Sequence, residues 1–400
     1  MALKTLKDVD LSGKRVLMRV DFNVPLNKET GEVQDDTRIT AVLPTIRHIL
    51  ESGAERLVLM SHIGRPKGER VPALCTSVVA KKLSELLGEE VQHVDQCVGV
   101  NCDDFSDAGA RIFMLQNVRY HSEEKKGDMD FAGQLADHGD VFVNDAFAVC
   151  HRDQASVTKV AEVMKSRGQE VAAGLLVERE MEMLGKVMEN PRSPFVMIVS
   201  GAKINTKIGM IQNFHNSVNT FIIGGGIANT FLAAAGYDVA ESLFEEEQLL
   251  LAQQIMSDCE EHVNELVMPT DAVVASEFSA EAESAHVPVE DVEGDMRILD
   301  LGSRTIDRCV EILKNAEMIV WNGPVGVYEF PQFSEGTKRI AEAVAANKNA
   351  TTVVGGGDTV DAINRLGIAF DEFTHVSTGG GAMVEFLEGK PLPGIEVLMG

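Results

Sequence analysis

Apolar and polar positions along this 400-residue chain follow two alternating periods. Short runs rich in Val, Ile, Leu and Phe read as strands covered on both faces; between them, apolar residues recur every three or four positions, as on one face of a helix. In the first part the pattern predicts strands at Arg15–Val20, Arg56–Met60, Arg111–Leu115 and Val141–Asn144. It predicts helices at Thr37–Glu51, where Ile39, Val42, Ile46, Ile49 and Leu50 share a face, and at Ser77–Leu87, ended by Gly88. The second part repeats the scheme, with strands near Phe195–Val199, Thr220–Ile223, Glu265–Met268, Met318–Trp321, Thr351–Val354 and His375–Ser377. A helix from Glu170 to Glu189 joins the parts; it is apolar at Val171, Leu175, Leu176, Met183, Leu184 and Val187, and Pro191 stops it. The expected fold is α/β: two doubly wound, Rossmann-like parallel-sheet domains joined by a helical hinge. One domain is expected to hold residues 1–170 plus a return segment of about 380–400, the other residues 171–379, beginning with the connecting helix.

A chain this long exceeds one compact core and suits two. With 44% hydrophobic and 24% charged residues it lies outside the disordered classes. The net charge of −26 argues against nucleic acid and anionic membranes as partners. That charge is uneven: residues 1–170 hold 22 Lys+Arg against 27 Asp+Glu, net −5, and the remainder 14 against 35, net −21. An anionic ligand therefore fits the first part more readily. Cys75, Cys97, Cys102, Cys150, Cys259 and Cys309 form no CxxC and no zinc spacing, and read as reduced thiols. Met1 to Val20 has no apolar signal-peptide core. Thr220–Tyr237 carries no charge, but Gly224-Gly225-Gly226 within it indicates strand–turn–helix and not a membrane span. A soluble, cytoplasmic monomer is expected.

In open parallel sheets ligands bind beyond the carboxyl ends of the strands. In the first part these positions are polar and basic: Asp21-Phe22-Asn23, then Ser61 to Pro66 with His62 and Arg65, then Asn117-Val118-Arg119, then His151-Arg152, with Arg38 opening a helix. Arginine's planar fork suits phosphate and carboxylate, so the set points to a small, multiply charged anion. Each arginine taken singly also fits a surface ion pair. In the second part the strand ends are glycine-rich: Ser200-Gly201-Ala202-Lys203-Ile204-Asn205-Thr206-Lys207, Gly224-Gly225-Gly226, Gly355-Gly356-Gly357-Asp358-Thr359 and Thr378-Gly379-Gly380-Gly381. Glycine lets backbone N–H groups approach a phosphate, and a following helix N-terminus favours its charge. Asp358 offers a hard oxygen for Mg²⁺ and Thr359 a hydroxyl for phosphate, while Lys203 and Lys207 can reach a polyphosphate. Neither GxxxxGK[ST] nor GxGxxG occurs at these places, which disfavours a P-loop kinase and a standard dinucleotide fold.

Arg19-Val20-Asp21-Phe22-Asn23-Val24-Pro25 resembles the N-terminal signature of the phosphoglycerate kinase family. The resemblance continues through Ser61–Pro66, Asn117–Arg119, Asn144–Ser156, Ser200–Ile208, Gly224–Phe231, Trp321–Phe330, Gly355–Thr359, Ser377–Gly381 and Glu388–Gly394. It implies reversible phosphoryl transfer between ATP and the carboxylate of 3-phosphoglycerate. By the same resemblance Asp21, Phe22, Asn23, Arg38, His62, Ile63, Gly64, Arg65, Arg119 and Arg152 would hold 3-phosphoglycerate on the N-terminal domain. Gly201, Ala202, Lys203, Lys207, Gly226, Asn322, Gly323, Pro324, Val325, Glu329, Gly356, Gly357, Asp358 and Thr359 would bind the nucleotide, with Mg²⁺ on Asp358. Arg38, Lys203, Gly357 and Gly380 would surround the transferring group. Two stretches depart from the commoner family pattern: Asp300-Leu301-Gly302-Ser303 where Ile-Gly-Pro is common, and Val149-Cys150 with Gln154 near the last basic loop. Both bear on the lining of the adenine pocket and not on the reaction.

A carboxylate acceptor is already ionised at neutral pH, so no general base is needed, and none stands out. The chemistry needs charge neutralisation, in-line placement and exclusion of water, hence a closure about the connecting helix. Two other classes make contrary demands. A dinucleotide-dependent oxidoreductase requires a GxGxxG with an acidic ribose partner, and a non-catalytic nucleotide-binding module would have lost some of the basic strand-end residues.

Overall fold

The computed structural model describes residues 2–100 and 109–400, so the expected thiol of Cys102 lies outside the described residues. The chain forms two compact units, Met1–Glu182 with Pro391–Gly400, and Met183–Lys390.

Unit one runs β1 (Arg15–Val20), α1 (Thr37–Glu51), β2 (Arg56–Met60), α2 (Ser77–Leu87), β3 (Val91–Val94), β4 (Ile112–Leu115), α3 (Ser122–Lys126), α4 (Met129–Ala136), β5 (Val141–Asp145), α5 (Val160–Ser166) and β6 (Glu170–Ala173). The strands form one parallel sheet in the order β3-β4-β2-β1-β5-β6, with Val16 opposite both Leu57 and Val141. Helices cover both faces, which is why β1, β2, β4 and β5 read as unbroken apolar runs. Ile39, Val42, Ile46, Ile49 and Leu50 of α1 are buried in the core with Val16, Met18 and Leu57. The sheet winds outward in both directions from β1, so the switch in strand order falls between β1 and β5.

The segment Pro391–Gly400 completes this unit. Lys4 donates its amide to the Leu398 carbonyl at 3.1 Å, Gly394 donates to the Cys150 carbonyl at 2.8 Å, and Leu392, Ile395 and Leu398 are buried. The return therefore begins at Pro391, not near residue 380 as expected, because Gly380–Leu387 forms a helix of unit two.

The joining helix also starts later than its periodicity suggested. Glu170–Ala173 is not helical but adds to β5 as the edge strand β6, and α6 (Leu175–Glu189) follows, with the division between units at Glu182/Met183 inside it. Asp145 explains the break: its Oδ1 accepts the amides of Leu176 at 3.0 Å and Val177 at 3.1 Å, capping the first turn. A Cβ at position 174 would overlap that carboxylate, so glycine is required there.

Unit two runs β7 (Phe195–Ser200), α7 (Ile208–Phe214), β8 (Thr220–Gly224), α8 (Gly225–Ala234), α9 (Leu249–Glu261), β9 (Glu265–Val267), β10 (Asp271–Ala275), β11 (Ala285–Pro288), β12 (Arg297–Leu301), α10 (Ser303–Lys314), β13 (Met318–Asn322), α11 (Glu335–Ala346), β14 (Thr351–Gly355), α12 (Gly357–Arg365), β15 (His375–Ser377) and α13 (Gly380–Leu387). Its main sheet is parallel in the order β15-β14-β13-β7-β8-β9, the doubly wound order with its switch between β7 and β13. A separate antiparallel sheet, β11-β10-β12, had no counterpart in the strands expected from the sequence. Among the described residues no helix is long and apolar enough to cross a membrane.

Candidate active site

In unit one the loops after β1, β2 and β4 are stitched together by their own side chains. The Phe22 amide donates to Ser61 Oγ at 2.9 Å, the Gly64 amide to Asn23 Oδ1 at 2.8 Å, and Asn117 Nδ2 to the Ile63 carbonyl at 2.8 Å. Arg119 donates to the Gly64 carbonyl at 3.1 Å. Phe22 and Ile63 are buried, so only their backbone can meet a ligand. Asn23, Gly64 and Arg119 are placed by the bonds above, and Arg38 is ion-paired with Asp21.

His62 is buried at the centre of this cluster, 2.9 Å from an Arg19 nitrogen and 3.8 Å from Asp21. Burial, then the charges of Arg19, Arg119, Arg38 and Lys125, hold its imidazole well below the ordinary range. Burial and the charge of Arg19 likewise draw Arg119 down to about 10, with Arg65 adding to the effect. Cations thus converge here without enough acids to neutralise them, and that is the electrostatic condition of an anion site. Arg19 itself is committed: it is fully buried and bonds Ser156 Oγ at 2.9 Å, which in turn donates to Glu124 at 2.7 Å. Arg65 and Arg152 are exposed and make no ion pair among the described residues, whereas Arg38 does make the pair with Asp21. His151 is lowered to about 4 by burial and then by Arg152, and its Nδ1 makes no hydrogen bond among the described residues. The departing residues beside it belong to unit one and do not line the less polar cavity of unit two, contrary to expectation: Cys150 is buried against Gly394, and Gln154 Oε1 is buried without a hydrogen-bond partner among the described residues.

In unit two the glycine runs meet at the β7/β13 switch. A cleft of about 600 Å³ is lined by Gly201, Ala202, Lys203, Lys207, Asn322, Gly323, Gly356, Gly357, Asp358, Thr359 and Gly380. Gly323 has φ of +104°, and a Cβ on it would overlap the Ser200 carbonyl oxygen. The N-termini of α12 and α13 abut: a Cβ on Gly380 would lie 3.3 Å from the Gly357 nitrogen. Two helix starts and two lysines therefore face one space, enough to hold a polyphosphate within an acidic unit. Lys203 is exposed. Lys207 reaches the Asn322 carbonyl at 3.4 Å, and burial lowers its ammonium to about 8 although Asp358 pulls the other way. Thr359 is buried and its Oγ1 accepts the Gly323 amide at 2.8 Å, so it shapes the loop as well as lining the cleft.

A second cavity of about 370 Å³ shares Gly201, Ala202 and Asp358 with the first and adds Gly226, Pro324, Val325 and Glu329. It is less polar, with Leu243, Phe278, Ile298, Leu299, Leu301 and Tyr328 in its wall, the character of a nucleoside pocket. Most of these wall residues were not foreseen. Their signal was the alternation in Arg297-Ile298-Leu299-Asp300-Leu301, which is β12 of the unexpected sheet. Asp300 anchors it, accepting the amides of Leu301 and Gly336, each at 2.8 Å, while burial pushes its carboxyl up to about 7. The departure noted at Asp300–Ser303 thus falls partly in the pocket, through Leu301, and partly at Gly302, the N-cap of α10.

Phosphate-sized anions suit the strand ends of both units, but only unit two adds room for a nucleoside. A phosphate-suited cleft joined to a less polar cavity is the arrangement of a nucleotide-binding α/β protein. A family model described as Phosphoglycerate kinase matches residues 6–390. Phosphoglycerate kinases of Moorella thermoacetica and Dictyoglomus turgidum are 47% and 45% identical to this chain, each covering 100% of it and 99% of their own length. The solved phosphoglycerate kinase of Coxiella burnetii is similar at a TM-score of 0.86 with 38% identity, covering 99% of both chains. That of Pyrococcus horikoshii reaches 0.84 with 31% identity, covering 99% of this chain and 98% of its own. The chain belongs to the phosphoglycerate kinase family. It is a phosphotransferase with a carboxyl group as acceptor, and its reaction is the glycolytic phosphoryl transfer between ATP and 3-phosphoglycerate.

Proposed function

We propose that unit one holds 3-phosphoglycerate and unit two holds ATP or ADP. The observation that carries this reading is the joined pair of cavities at the β7/β13 switch, one glycine-lined with Lys203 and Lys207 in its wall, the other less polar. On unit one, Arg65, Arg119 and Arg152 take the acceptor's phosphate and carboxylate, Asn23 and His62 orient it, and Arg38, released from Asp21, faces the reacting oxygen. On unit two, Lys203, Lys207 and the amides of Gly357 and Gly380 receive the charge that spreads over the transferring group.

Asp358 fits the role of Mg²⁺ ligand. It is exposed at the first turn of α12, lines both cavities and makes no hydrogen bond or ion pair among the described residues. One free carboxylate beside a polyphosphate cleft suits an ion that retains water and shares its coordination with phosphate oxygens. Bound there, Mg²⁺ would neutralise phosphate charge.

The acceptor carboxylate is ionised and attacks directly, so the protein's work is alignment, charge neutralisation and exclusion of water. Transfer requires the two substrates to come within bonding reach, which makes bending at α6 part of the cycle. The chain acts as a cytoplasmic monomer, a setting that suits the free thiols of Cys75, Cys97, Cys150, Cys259 and Cys309. Incubation with ATP, Mg²⁺ and 3-phosphoglycerate, with hydroxylamine trapping of the acyl phosphate, tests the reading. ADP release without trapped acyl phosphate overturns it.

A further inference from the structure

Beside its strand-end cluster, unit one gathers a thiol, an imidazole and a carboxylate that neither the proposed substrates nor the core require. Cys75 follows the short turn Pro72–Leu74 that leads into α2, and His93 lies on edge strand β3 with Asp95 two residues on, on the same side of the strand. One ligating atom from each lies within 4.8 Å of the others; His93 Nε2 lies 3.0 Å from Thr76 Oγ1, a contact that the ion would replace, and 3.8 Å from Cys75 Sγ. That separation is close to the spacing of two ligands on one tetrahedral ion whose bonds are about 2.0–2.3 Å.

What fills the space between them is electropositive. Gln116 Nε2 donates to Cys75 Sγ at 3.1 Å and to Asp95 Oδ1 at 3.0 Å, and Arg70 is ion-paired with the other oxygen of Asp95. The Gln116 amide is held from behind, its Oε1 accepting the backbone amides of Thr76 at 3.1 Å and Asn117 at 2.8 Å. Cys75 is also unlike the other described cysteines, which are buried; it is half-buried, and Asp95 is exposed, so an ion has a path in. A thiolate, an imidazole and one carboxylate make a borderline-soft donor set, unsuited to Mg²⁺ or Ca²⁺ and suited to Zn²⁺.

We propose that Cys75, His93 and Asp95 form a Zn²⁺ site, with water as the fourth ligand. Binding displaces the Gln116 N–H and the Arg70 guanidinium, so the site is weaker than a structural zinc centre. It clips the turn before α2 to edge strand β3.

The test uses the full chain, reduced and freed of metal with a chelator. Titration with Co²⁺ should give one equivalent showing a thiolate-to-cobalt charge-transfer absorption and the intense visible bands of a tetrahedral ion, both removed by one equivalent of Zn²⁺. Zinc calorimetry should show the same single site, weakened at least about tenfold in Cys75→Ser, His93→Gln and Asp95→Asn and unchanged in Asp358→Asn. Cys75→Ser should keep its phosphoryl-transfer rate and melting temperature without zinc. Absence of the charge-transfer band in the unaltered chain overturns the proposal, as does stoichiometric zinc binding that survives Cys75→Ser.

Discussion

The hydroxyl oxygen of Thr359 accepts the backbone amide of Gly323 at 2.8 Å, which ties the first turn of α12 to the loop after β13. Both ends of this bond are buried, and both residues line the polyphosphate cleft. Thr359→Val keeps the shape and leaves the amide unpaired, so it should cost about 1–3 kcal/mol of stability. It should also weaken ADP by about tenfold, whereas Thr359→Ser should do neither. Urea unfolding and ADP calorimetry on the two variants check this; equal behaviour of Val and Ser would make the bond incidental.

Arg38 should matter to rate more than to binding. Its partner is Asp21 in the structure, and in the proposed cycle it exchanges that carboxylate for the charge developing on the transferred group. Arg38→Ala should lower kcat by on the order of 10³ with little change in KM for ATP. A variant with near-normal kcat would show that the arginine only positions Asp21.

The two ligands should be separable by single substitutions. Arg65→Ala removes an exposed cation that makes no ion pair among the described residues, and should weaken 3-phosphoglycerate by roughly tenfold without loss of stability. Arg119→Ala should weaken it as well, and should also lower the melting temperature, because Arg119 holds the Gly64 carbonyl. Asp358→Ala should leave 3-phosphoglycerate binding intact and reduce the Mg²⁺ dependence of ADP binding. Calorimetry with each ligand alone decides; joint loss of both ligands in one variant would merge the two sites.

Nucleotide affinity should fall at alkaline pH through Lys207. Burial sets its ammonium near 8, below the ordinary lysine range, and a bound polyphosphate favours the charged form. Above pH 8 the free protein has lost this proton and must regain it on binding, so ADP affinity should fall by up to about tenfold per pH unit. Lys207→Met should bind weakly with a flatter profile. The same slope in parent and variant would assign the proton to another group.

Asp145 should give stability an opposite-looking pH term. Its carboxyl is pushed up to about 7 by burial, despite bonds from Thr45, Val177 and Leu176, against 3.8 when unfolded. Between those values the native state holds a proton that the unfolded chain has released. The contribution is therefore full below pH 4 and is lost as pH rises to 7. Asp145→Asn, which keeps the cap on α6, should remove this slope, shifting the stability difference in its favour by about 1.4 kcal/mol per pH unit between 5 and 7. Denaturant unfolding at several pH values reads the shift, and a pH-independent difference would mean that Asp145 is ionised throughout.

Much of this was legible before any coordinates. Strands covered on both faces announce themselves as apolar runs, so β1, β2, β7, β8 and β14 were predicted within a residue of their observed ends. The same logic failed for β3, where Gln92 and His93 interrupt the run, and for β6, whose three apolar residues continue a helical period. The glycine-lined cleft of unit two was readable because glycine runs at strand ends are local signals. The less polar cavity beside it was not, because part of its wall comes from β12, whose place depends on an antiparallel sheet formed over long sequence separations. Nor does residue type reveal that Thr359 is tied to Gly323 or that Arg38 rests on Asp21, since both depend on distance in space.

Because Pro391–Gly400 completes unit one, that unit is discontinuous in sequence, and the order in which a ribosome releases the chain acquires a meaning. Residues up to Glu182 emerge first but lack the strand-like contact at Leu3 and the backbone bond at Cys150 that the closing segment supplies. All of Met183–Lys390 must be synthesised before those contacts exist, an interval on the order of ten seconds or more at ordinary translation rates. The first half of the nascent chain therefore waits, with Cys150 and its neighbours unsealed, while the second half is free to fold to completion. A premature stop within the closing segment is expected to damage the unit made earliest and to spare the one made last.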